Sequence, residues 1–263
     1  MDKRPIGIFD SGVGGLTVLK KLSELLPEED IIYFGDTARV PYGNKSQETV
    51  TRFAKECIQF LKKLNIKLLV IACNTASSWS LDALRKNFSF PIKGVIAPAV
   101  KEACQKSKNS KIGVIGTNAT VKSRSYIKAL GKNSRSVQVF QQACPLFVPL
   151  VEEGWFNGKT TIDVARTYLS GLKNKNIDTL ILGCTHYPLL KGVFKKVFGR
   201  KVKIIDSSMS VSCEIKNFLE NNSLRNTRRK GRLKFFVTDE VESFKRISKI
   251  FLKKNINVKR VNL

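Results

Sequence analysis

The stretch IGIFDSGVGGLTVLKKL, residues 6–22, joins three local patterns in immediate succession. The apolar run over 6–10 is typical of a buried strand, and Gly12, Gly14 and Gly15 indicate a tight turn. Apolar residues at helical spacing follow the turn. Strand, turn and helix in this order predict one unit of an α/β fold with a parallel sheet. The same order is typical of loops that bind a nucleotide.

The glycine turn does not fit a dinucleotide-binding loop. That fingerprint is G-x-G-x-x-G with an acidic residue about 20 residues later, at the end of a second strand. From Gly12 the chain reads GVGGLT, so Thr17 stands where the last glycine belongs. Asp30 precedes the second predicted strand, and Asp36 belongs to the element GDTARVPYG. We therefore expect the glycines to bring the backbone close to a small substrate.

Apolar runs alternate with segments of helical period along the whole chain, which predicts an α/β fold with a largely parallel sheet. The clearest helix is predicted over 46–64, where the apolar residues share one face. Ser46 is its predicted N-cap, and Cys57 falls on its core side. The predicted strands cover residues 6–10, 30–35, 68–73, 93–96, 111–116, 136–141, 179–184, 202–206 and 233–238.

Three segments of the first half recur in the second half, each about 110 residues later. IGIFD matches IGVIG, LLVIACNT matches LILGCTH, and PIKGVIAP matches KVKIIDSS. Three matches in the same order predict two similar α/β lobes. The last strand and helix are expected to return to the first lobe. The predicted lobes are therefore 1–97 plus 208–263 for the first and 98–207 for the second.

Cys73 and Cys184 occupy matching positions in this repeat, each at the carboxyl end of a strand. Ligands of open α/β sheets bind beyond these strand ends. A cysteine before a helix N-terminus meets free N–H groups and the positive end of the helix dipole, which favour the thiolate. The same groups can hold a carboxylate. We interpret these two cysteines as functional and the others as buried structural thiols: Cys57, Cys104, Cys144 and Cys213.

Two thiols on two facing lobes suit the inversion of a carbon stereocentre without a cofactor. One group removes a proton from one face of the carbon, and the other delivers a proton to the opposite face. An ordinary thiol with a pKa near 8.5 is only a few per cent thiolate at neutral pH, so the site must adjust these pKa values. Asp10 and His186 are candidates to assist, and His186 is interpreted as a proton partner or substrate contact.

At 263 residues the chain is long enough for one or two domains with their own cores. No apolar run approaches the ~20 residues of a membrane span, and the N-terminal run is too short for a signal peptide. We therefore expect a cytoplasmic protein with free thiols. The cysteines form no CxxC pair and the chain has 1 histidine, so no metal site is predicted.

The formal net charge of +26 has two interpretations. One is a polyanionic partner such as nucleic acid, and the other is a lysine-rich solvated surface. Only LRNTRRKGRLK, residues 224–234, forms a dense basic run, and no nucleic-acid-binding motif accompanies it. The solvated surface is favoured. A basic protein that associates with DNA stays as the alternative from another functional class.

Around the two cysteines the sequence resembles the glutamate racemases of the aspartate/glutamate racemase superfamily. The resemblance runs in the family's order from residue 6 to about residue 190, and the C-terminal part matches only in its general pattern. The matching stretches are IGIFDSGVGGLTVLKKL (6–22), YFGDTARVPYGNKS (33–46), VIACNTAS (70–77), IGVIGTNATVKSRSY (112–126), CPLFVPLVEEG (144–154) and LILGCTHYPLL (180–190).

The resemblance implies two similar three-layer α/β lobes with mainly parallel sheets, related by a pseudo-two-fold axis, with the active site in the cleft between them. It implies interconversion of L- and D-glutamate with no cofactor, which supplies D-glutamate for peptidoglycan. It also implies an enzyme that is often a homodimer. Racemisation of aspartate or a related acidic amino acid is the near alternative. Contact with nucleic acid or with DNA gyrase is a further one.

The same resemblance implies roles for individual residues. Cys73 and Cys184 would be the acid and base on opposite faces of the substrate α-carbon. Asp10 would contact the substrate and support proton transfer near Cys73. His186 would assist Cys184, with Glu152 close by. The substrate-binding residues implied are Asp10, Ser11, Tyr42, Gly43, Asn74, Thr75, Thr117, Thr185 and His186.

One position departs from the family's pattern. The segment GVIAPAV has Ala97 where glutamate racemases often have a glutamate before the proline. This change removes a carboxylate at the expected hinge between the lobes and leaves the site residues intact. Racemisation is therefore still expected, and the change bears on interlobe contacts and regulation.

Overall fold

Two parallel sheets with helices packed on them form the part of the chain that the structure, a computed structural model, describes: residues 1–134, 136–227 and 230–263. The strands are β1 Ile6–Asp10, β2 Ile31–Gly35, β3 Leu68–Ile71, β4 Ile92–Gly94, β5 Lys111–Gly116, β6 Gln138–Ala143, β7 Thr179–Gly183, β8 Lys203–Asp206, β9 Leu233–Val237 and β10 Val258–Arg260.

The helices lie between the strands and after them. They are α1 Leu16–Leu25, α2 Gln47–Lys63, α3 Asn74–Asn87, α4 Ile96–Lys106, α5 Asn118–Lys122, α6 Ser125–Asn133, α7 Phe147–Glu152, α8 Lys159–Lys173, α9 Lys191–Phe198, α10 Ser207–Asn221 and α11 Val241–Leu252. Short 3₁₀ helices cover Thr37–Arg39, Tyr42–Asn44 and Tyr187–Leu190.

The strand order repeats between the two sheets. The first sheet has the order β10-β9-β2-β1-β3-β4 and the second has β6-β5-β7-β8. The order β2-β1-β3-β4 is therefore reproduced by β6-β5-β7-β8, and the repeated sequence segments occupy equivalent strands. Every pairing among the described strands is parallel. The predicted fold of two α/β lobes with mainly parallel sheets is confirmed.

The last part of the chain contributes to the first sheet. Strand β9 pairs with β2, and β10 pairs with β9 at the edge. This pairing is what a first lobe built from two separate segments of the chain requires. The exact lobe boundaries, 1–97 plus 208–263 and 98–207, stay a prediction.

Both faces of each sheet are covered, as alternating side chains require. On β1, Ile8 belongs to one core cluster together with Leu19 of α1. Its neighbour Phe9 points to the opposite face and belongs to a second cluster together with Ile58 of α2. The second sheet divides its side chains between two clusters in the same way. Each lobe therefore has helix, sheet and helix layers.

The sequence predicted most elements within two residues. Helix α2 lies within the predicted 46–64, and Ser46 Oγ accepts a hydrogen bond from the Thr49 N–H at 3.3 Å, so the predicted N-cap is confirmed. The strand predicted at 136–141 begins two residues later. Strand β10 was not predicted, because it has three residues, all exposed or half-buried, and no apolar run.

The burial predicted for two structural thiols is wrong. Cys57 and Cys144 are buried, as expected. Cys213 is exposed, and Cys104 is only half-buried. A single-residue hydrophobicity argument misses this, because the exposure depends on which helix face the tertiary packing leaves open. All six cysteines are free thiols.

Helix α4 joins β4 of the first sheet to β5 of the second and carries Ala97 in its first turn. The side chain of Ala97 is exposed, and the first turn has no acidic residue. A carboxylate at this position would be favoured by the positive end of the helix dipole. Its absence removes a surface charge at the connection between the sheets.

The basic run 224–234 is only partly described, since Arg228 and Arg229 lie outside the described residues. Within it, Arg225 pairs with Glu220 and Glu28. Among the described helices, none is both long and apolar enough to cross a membrane.

A buried ion pair ties three chain segments to the start of β3. Lys67 Nζ lies 2.7 Å from Glu29 Oε2, and the two side chains are 0% and 1% exposed. Lys67 also donates to the carbonyl oxygens of Asp2 at 2.9 Å and Leu224 at 2.8 Å. The other Glu29 oxygen accepts from the Asn226 N–H at 2.8 Å. The ion pair thus connects β3 to the N-terminus, to the loop before β2 and to the segment before β9.

We expect Lys67→Met to lower the free energy of unfolding by about 3–5 kcal/mol, because it leaves the Glu29 carboxylate buried without a countercharge. Denaturant unfolding followed by circular dichroism measures this loss. The double variant Lys67→Met, Glu29→Gln removes both charges and should lose less than the single one. Exposed Lys86 gives the control, since Lys86→Met should change the value by no more than about 0.5 kcal/mol. Equal losses at both lysines would contradict the expectation.

Candidate active site

The parallel pairing of strands brings polar residues together at the sheet edges. In the first sheet β1 pairs with β3, so that Ser11 and Cys73 leave neighbouring strands. In the second sheet β5 pairs with β7 and places Thr117 beside Cys184 in the same way. Cys73 is the N-cap of α3 and Thr117 is the N-cap of α5. The two strand ends of each lobe therefore contribute equivalent side chains.

A cavity of about 380 Å³ lies between these strand ends and contains both cysteines. Its lining residues come from both lobes: Ser11, Val40, Pro41, Tyr42, Gly43, Asn44, Cys73, Asn74, Thr75, Thr117, Pro145, Leu146, Val148, Pro149, Glu152, Cys184, Thr185 and His186. A larger groove of about 630 Å³ runs along α4 and α10, but neither Cys73 nor Cys184 lines it. We take the smaller cavity as the candidate site because it holds the clustered acid/base groups.

The cavity brings together every predicted site residue except Asp10. Sequence reasoning assigned no role to the other residues that line it: Val40, Pro41, Asn44, Pro145, Leu146, Val148 and Pro149. All of these lie within the stretches YFGDTARVPYGNKS and CPLFVPLVEEG, so the motifs marked their position. Their apolar character carried no chemical signal that could single them out.

Cys73 is a buried thiol whose sulfur has two hydrogen-bond contacts. Its Sγ donates to Ser11 Oγ at 3.6 Å and accepts from the Ala76 N–H at 3.5 Å. Burial, together with the negative charge of Asp10, raises the pKa of Cys73 to about 12. The Ala76 N–H at the start of α3 lowers the pKa of Cys73, as predicted, but burial and Asp10 outweigh it. The prediction that the helix N-terminus favours the thiolate of Cys73 is therefore wrong.

Cys184 lies in a different electrostatic environment. Its Sγ is 3.7 Å from His186 Nδ1, and His186 Nε2 is 3.2 Å from Glu152 Oε1. Burial lowers the pKa of His186, but the interactions with Cys184 and Glu152 outweigh it and raise this pKa to about 10. The contacts with Cys184 and Glu152 therefore favour the protonated imidazole of His186, whose Nδ1 faces the sulfur. The helix after Cys184 is a 3₁₀ helix that begins only at Tyr187.

Asp10 lies beneath the cavity surface and is fully buried. Its Oδ2 accepts from the Gly12 N–H at 3.0 Å, and its Oδ1 accepts from Thr185 Oγ1 at 3.4 Å. Burial raises the pKa of Asp10, although the charge of His186 opposes this. Asp10 is not among the residues that line the cavity, and its contact with substrate stays a prediction. Its charge acts on Cys73 from behind.

The glycines of the first turn permit close contact between the lobes. A Cβ atom on Gly14 would lie 2.6 Å from His186 Nδ1, and one on Gly15 would lie 2.6 Å from Asp10 Cβ. Gly43 is equally confined, since its Cβ would lie 2.7 Å from Thr117 Cβ. Such separations are shorter than atoms of real side chains tolerate. Gly14 and Gly43 are therefore required where the two lobes meet, and Gly15 makes room for Asp10 within the first lobe.

Tyr42 lines the cavity, but its hydroxyl does not face it. The hydroxyl donates to Asp36 Oδ2 at 2.5 Å, and Arg39 Nε donates to the same oxygen at 2.7 Å. Thr238 Oγ1, just after β9, donates to the other Asp36 oxygen at 3.0 Å. Buried Asp36 therefore holds the PYG loop and the C-terminal part of the first sheet in fixed positions. Only the ring and backbone of Tyr42 are left for a ligand.

Three threonine hydroxyls form a cluster across the cleft. Thr75 Oγ1 lies 2.9 Å from Thr117 Oγ1 and 3.2 Å from Thr120 Oγ1. Thr117 and Thr120 are 3.1 Å apart. Thr120 is fully buried beneath the other two and was not predicted. Hydroxyls beside two helix N-termini are suited to hold a carboxylate. Among the described residues, no group of three or more histidine, cysteine or acidic side chains is arranged to hold a metal ion.

The chain is similar to known racemases over nearly its whole length. The family model described as Asp/Glu/hydantoin racemase matches residues 6–210. The glutamate racemase of Geobacter metallireducens is 50% identical over 253 residues, which cover 96% of this chain and 94% of the relative.

Solved structures agree with this comparison. A glutamate racemase isoform from Bacillus anthracis aligns with a TM-score of 0.97 at 40% identity, covering 100% of this chain and 99% of that one. The glutamate racemase of Francisella tularensis in complex with D-glutamate aligns with a TM-score of 0.94 at 40% identity, covering 100% and 98%. The fold likeness therefore extends over the whole chain.

We expect the alkylation rate of Cys73 by iodoacetamide to rise about tenfold per pH unit from pH 7 to 10, because the thiolate fraction does so below the pKa. Asp10→Asn removes the charge that helps to raise this pKa, so it should accelerate the reaction at pH 8 several-fold. Mass spectrometry of the peptide that contains Cys73 distinguishes its alkylation from that of the other cysteines. Exposed Cys213 is the internal control, and its rate should be the same in both proteins. A plateau below pH 9, or slower alkylation in Asp10→Asn, would refute the expectation.

Proposed function

The chain belongs to the Asp/Glu/hydantoin racemase family, and we propose that it interconverts L- and D-glutamate through Cys73 and Cys184 without a cofactor. The observation that carries this proposal is the presence of both thiols in one interlobe cavity, with a carboxylate behind one and an imidazole beside the other. A reaction that moves a proton between opposite faces of one carbon needs two such groups. The identities of 40–50% with glutamate racemases support it further.

The reaction proceeds by removal of one proton from the α-carbon and delivery of another to its opposite face. The thiolate of Cys184, paired with the His186 imidazolium, takes the α-proton, so the C–H bond breaks and an S–H bond forms. The electron pair left on the α-carbon is delocalised into the adjacent carboxylate. The Cys73 thiol then gives its proton to the opposite face, which inverts the centre. The reverse direction uses the same groups in exchanged roles, since a catalyst lowers the barrier in both directions.

His186 and Asp10 support these transfers from opposite sides of the site. The Glu152 contact fixes the His186 ring, so that its Nδ1 stays beside the Cys184 sulfur. Asp10 makes the loss of a proton from Cys73 costly in the free protein. A thiol that keeps its proton until a carbanion forms is a suitable donor, because it does not need to be protonated first.

The substrate carboxylates fit the polar part of the cavity. Asn74, Thr75, Thr117 and Thr185 line it together with Ser11, and the N-termini of α3 and α5 add N–H donors. The apolar wall of Val148 and Pro149 faces the carbon chain. We favour glutamate over aspartate because the relatives at 40–50% identity are glutamate racemases. Comparison of kcat/KM on the two amino acids tests this preference.

We further propose that the product is D-glutamate for peptidoglycan synthesis in the cytoplasm and that the enzyme works as a homodimer. The support is the family resemblance and the similarity to glutamate racemases. Expression in a bacterium that depends on external D-glutamate tests the first part, because growth without the supplement requires an active racemase. Sedimentation of the purified protein tests the second.

In D2O, we expect L-glutamate to lose its circular dichroism signal while its α-proton exchanges for deuterium. Cys73→Ala and Cys184→Ala should each lower the racemisation rate by at least about 100-fold, since each removes one of two required proton carriers. Chiral chromatography and proton NMR measure the two quantities together.

The control for thiol loss is Cys104→Ala, which changes a half-buried cysteine outside the cavity and should keep full activity. Full racemisation by either active-site variant would exclude the two-thiol mechanism. A folded wild-type protein that neither racemises nor exchanges glutamate would exclude the function itself.

A further inference from the structure

Of the two polar atoms in the Asn74 side-chain amide, only the oxygen has a hydrogen-bond partner among the described residues. Asn74 is the first residue of α3, directly after Cys73, and lines the cavity. Its Oδ1 accepts a hydrogen bond from the Tyr126 hydroxyl at 2.6 Å. Its Nδ2 is buried and has no hydrogen-bond partner in the described part of the chain. A buried donor without a partner costs free energy, so a native structure that retains one needs an explanation.

Tyr126 is held rigidly in the other lobe. It belongs to α6, is fully buried and is part of the core cluster that includes Val114 and Ile181. Its ring lies against Gly183, the residue before Cys184, where an added Cβ would be 3.1 Å from the ring. The hydroxyl therefore reaches across the cleft from a fixed position, next to one cysteine, to the residue that follows the other.

The direction of this hydrogen bond decides which end of the amide faces Tyr126. Burial and the nearby Cys184 raise the pKa of Tyr126 well above its usual range, so the hydroxyl keeps its proton and donates. An amide can offer either its oxygen or its NH2 group, and only the oxygen accepts. Donation by Tyr126 thus turns Oδ1 toward itself and leaves Nδ2 for another partner.

We propose that Tyr126 is a positioning residue that orients the Asn74 amide, so that Nδ2 donates to a carboxylate oxygen of the bound substrate. The inference rests on the proposed racemase function and adds a residue to which sequence reasoning gave no role. The substrate carboxylate supplies the acceptor that the buried Nδ2 lacks. Hydrogen bonds to charged groups are the stronger ones, which suits a contact that discriminates carboxylate ligands.

The test compares Tyr126→Phe with the wild type on glutamate. The variant removes the oxygen that holds the amide and leaves the ring packing intact. We expect KM to rise about tenfold with kcat changed less than about threefold, as for the loss of one hydrogen bond to a charged group. A wild-type KM in folded Tyr126→Phe would overturn the proposal.

A double-mutant cycle separates orientation from general destabilisation. In the Asn74→Ala background, Tyr126→Phe should change KM by less than about twofold, because the amide it orients is gone. Equal effects of Tyr126→Phe in both backgrounds would also overturn the proposal. Asn74→Asp keeps the acceptor for Tyr126 and removes the donor, so its KM should rise at least as much as that of Tyr126→Phe. If Tyr126→Phe fails to fold, a wild-type KM in Asn74→Asp still contradicts the proposal.

Tyr187→Phe is the matched control. Tyr187 is also fully buried, and its hydroxyl donates to the Cys144 carbonyl oxygen at 2.8 Å, outside the cavity. This variant should lose thermal stability to a similar extent and keep the wild-type KM. A wild-type protein without racemase activity would refute the proposed function, whereas an active wild type with unchanged KM in Tyr126→Phe refutes only the role of Tyr126.

Discussion

The chemistry of the cleft depends on the parallel pairing of β1 with β3 and of β5 with β7. This pairing places the loop after β1 beside Cys73 and the loop after β5 beside Cys184. A slip of one residue in either pair would move each side chain to the opposite face of the sheet. The burial of alternating strand residues on both faces prevents such a slip, since it would bring every core side chain to the wrong side. The hydrophobic layers thereby fix the positions of the reactive thiols.

The two thiols share a position in the repeat but not an electrostatic environment. Burial and Asp10 raise the pKa of Cys73, whereas Cys184 lies beside the imidazole of His186, whose pKa is itself raised. Across the lobe boundary, the charge of His186 opposes the rise that burial causes in the pKa of Asp10. A duplicated fold therefore provides two equivalent places for a proton carrier, and a few neighbouring residues differentiate them. An inversion can start when one of the two sulfurs carries a proton and the other does not.

The sequence predicted what depends on local pattern and missed what depends on tertiary surroundings. Strands, the helix 46–64 and the repeat were readable because apolar periodicity and turn residues are local signals. The effect of Asp10 on Cys73 was not readable, because it arises from burial and from a charge 63 positions away along the chain. Tyr126 lies inside a recognised motif, but a tyrosine at a helix start carries no sign of which group its hydroxyl will meet. Strand β10 was missed because its pairing partner, and not its composition, makes it a strand.

The glycine turn after β1 shows how the same local pattern can serve another purpose. In a nucleotide-binding loop, glycines make room for phosphate groups. Here the space that a Gly14 side chain would fill is occupied by Thr185 and His186 of the opposite lobe. Gly15 likewise makes room for the buried Asp10. The turn is therefore a close contact between lobes, and it allows the Asp10 carboxylate to lie within the electrostatic range of both Cys73 and His186. A larger side chain at Gly14 would separate the lobes and with them the two proton carriers, whose cooperation requires that both reach one carbon atom.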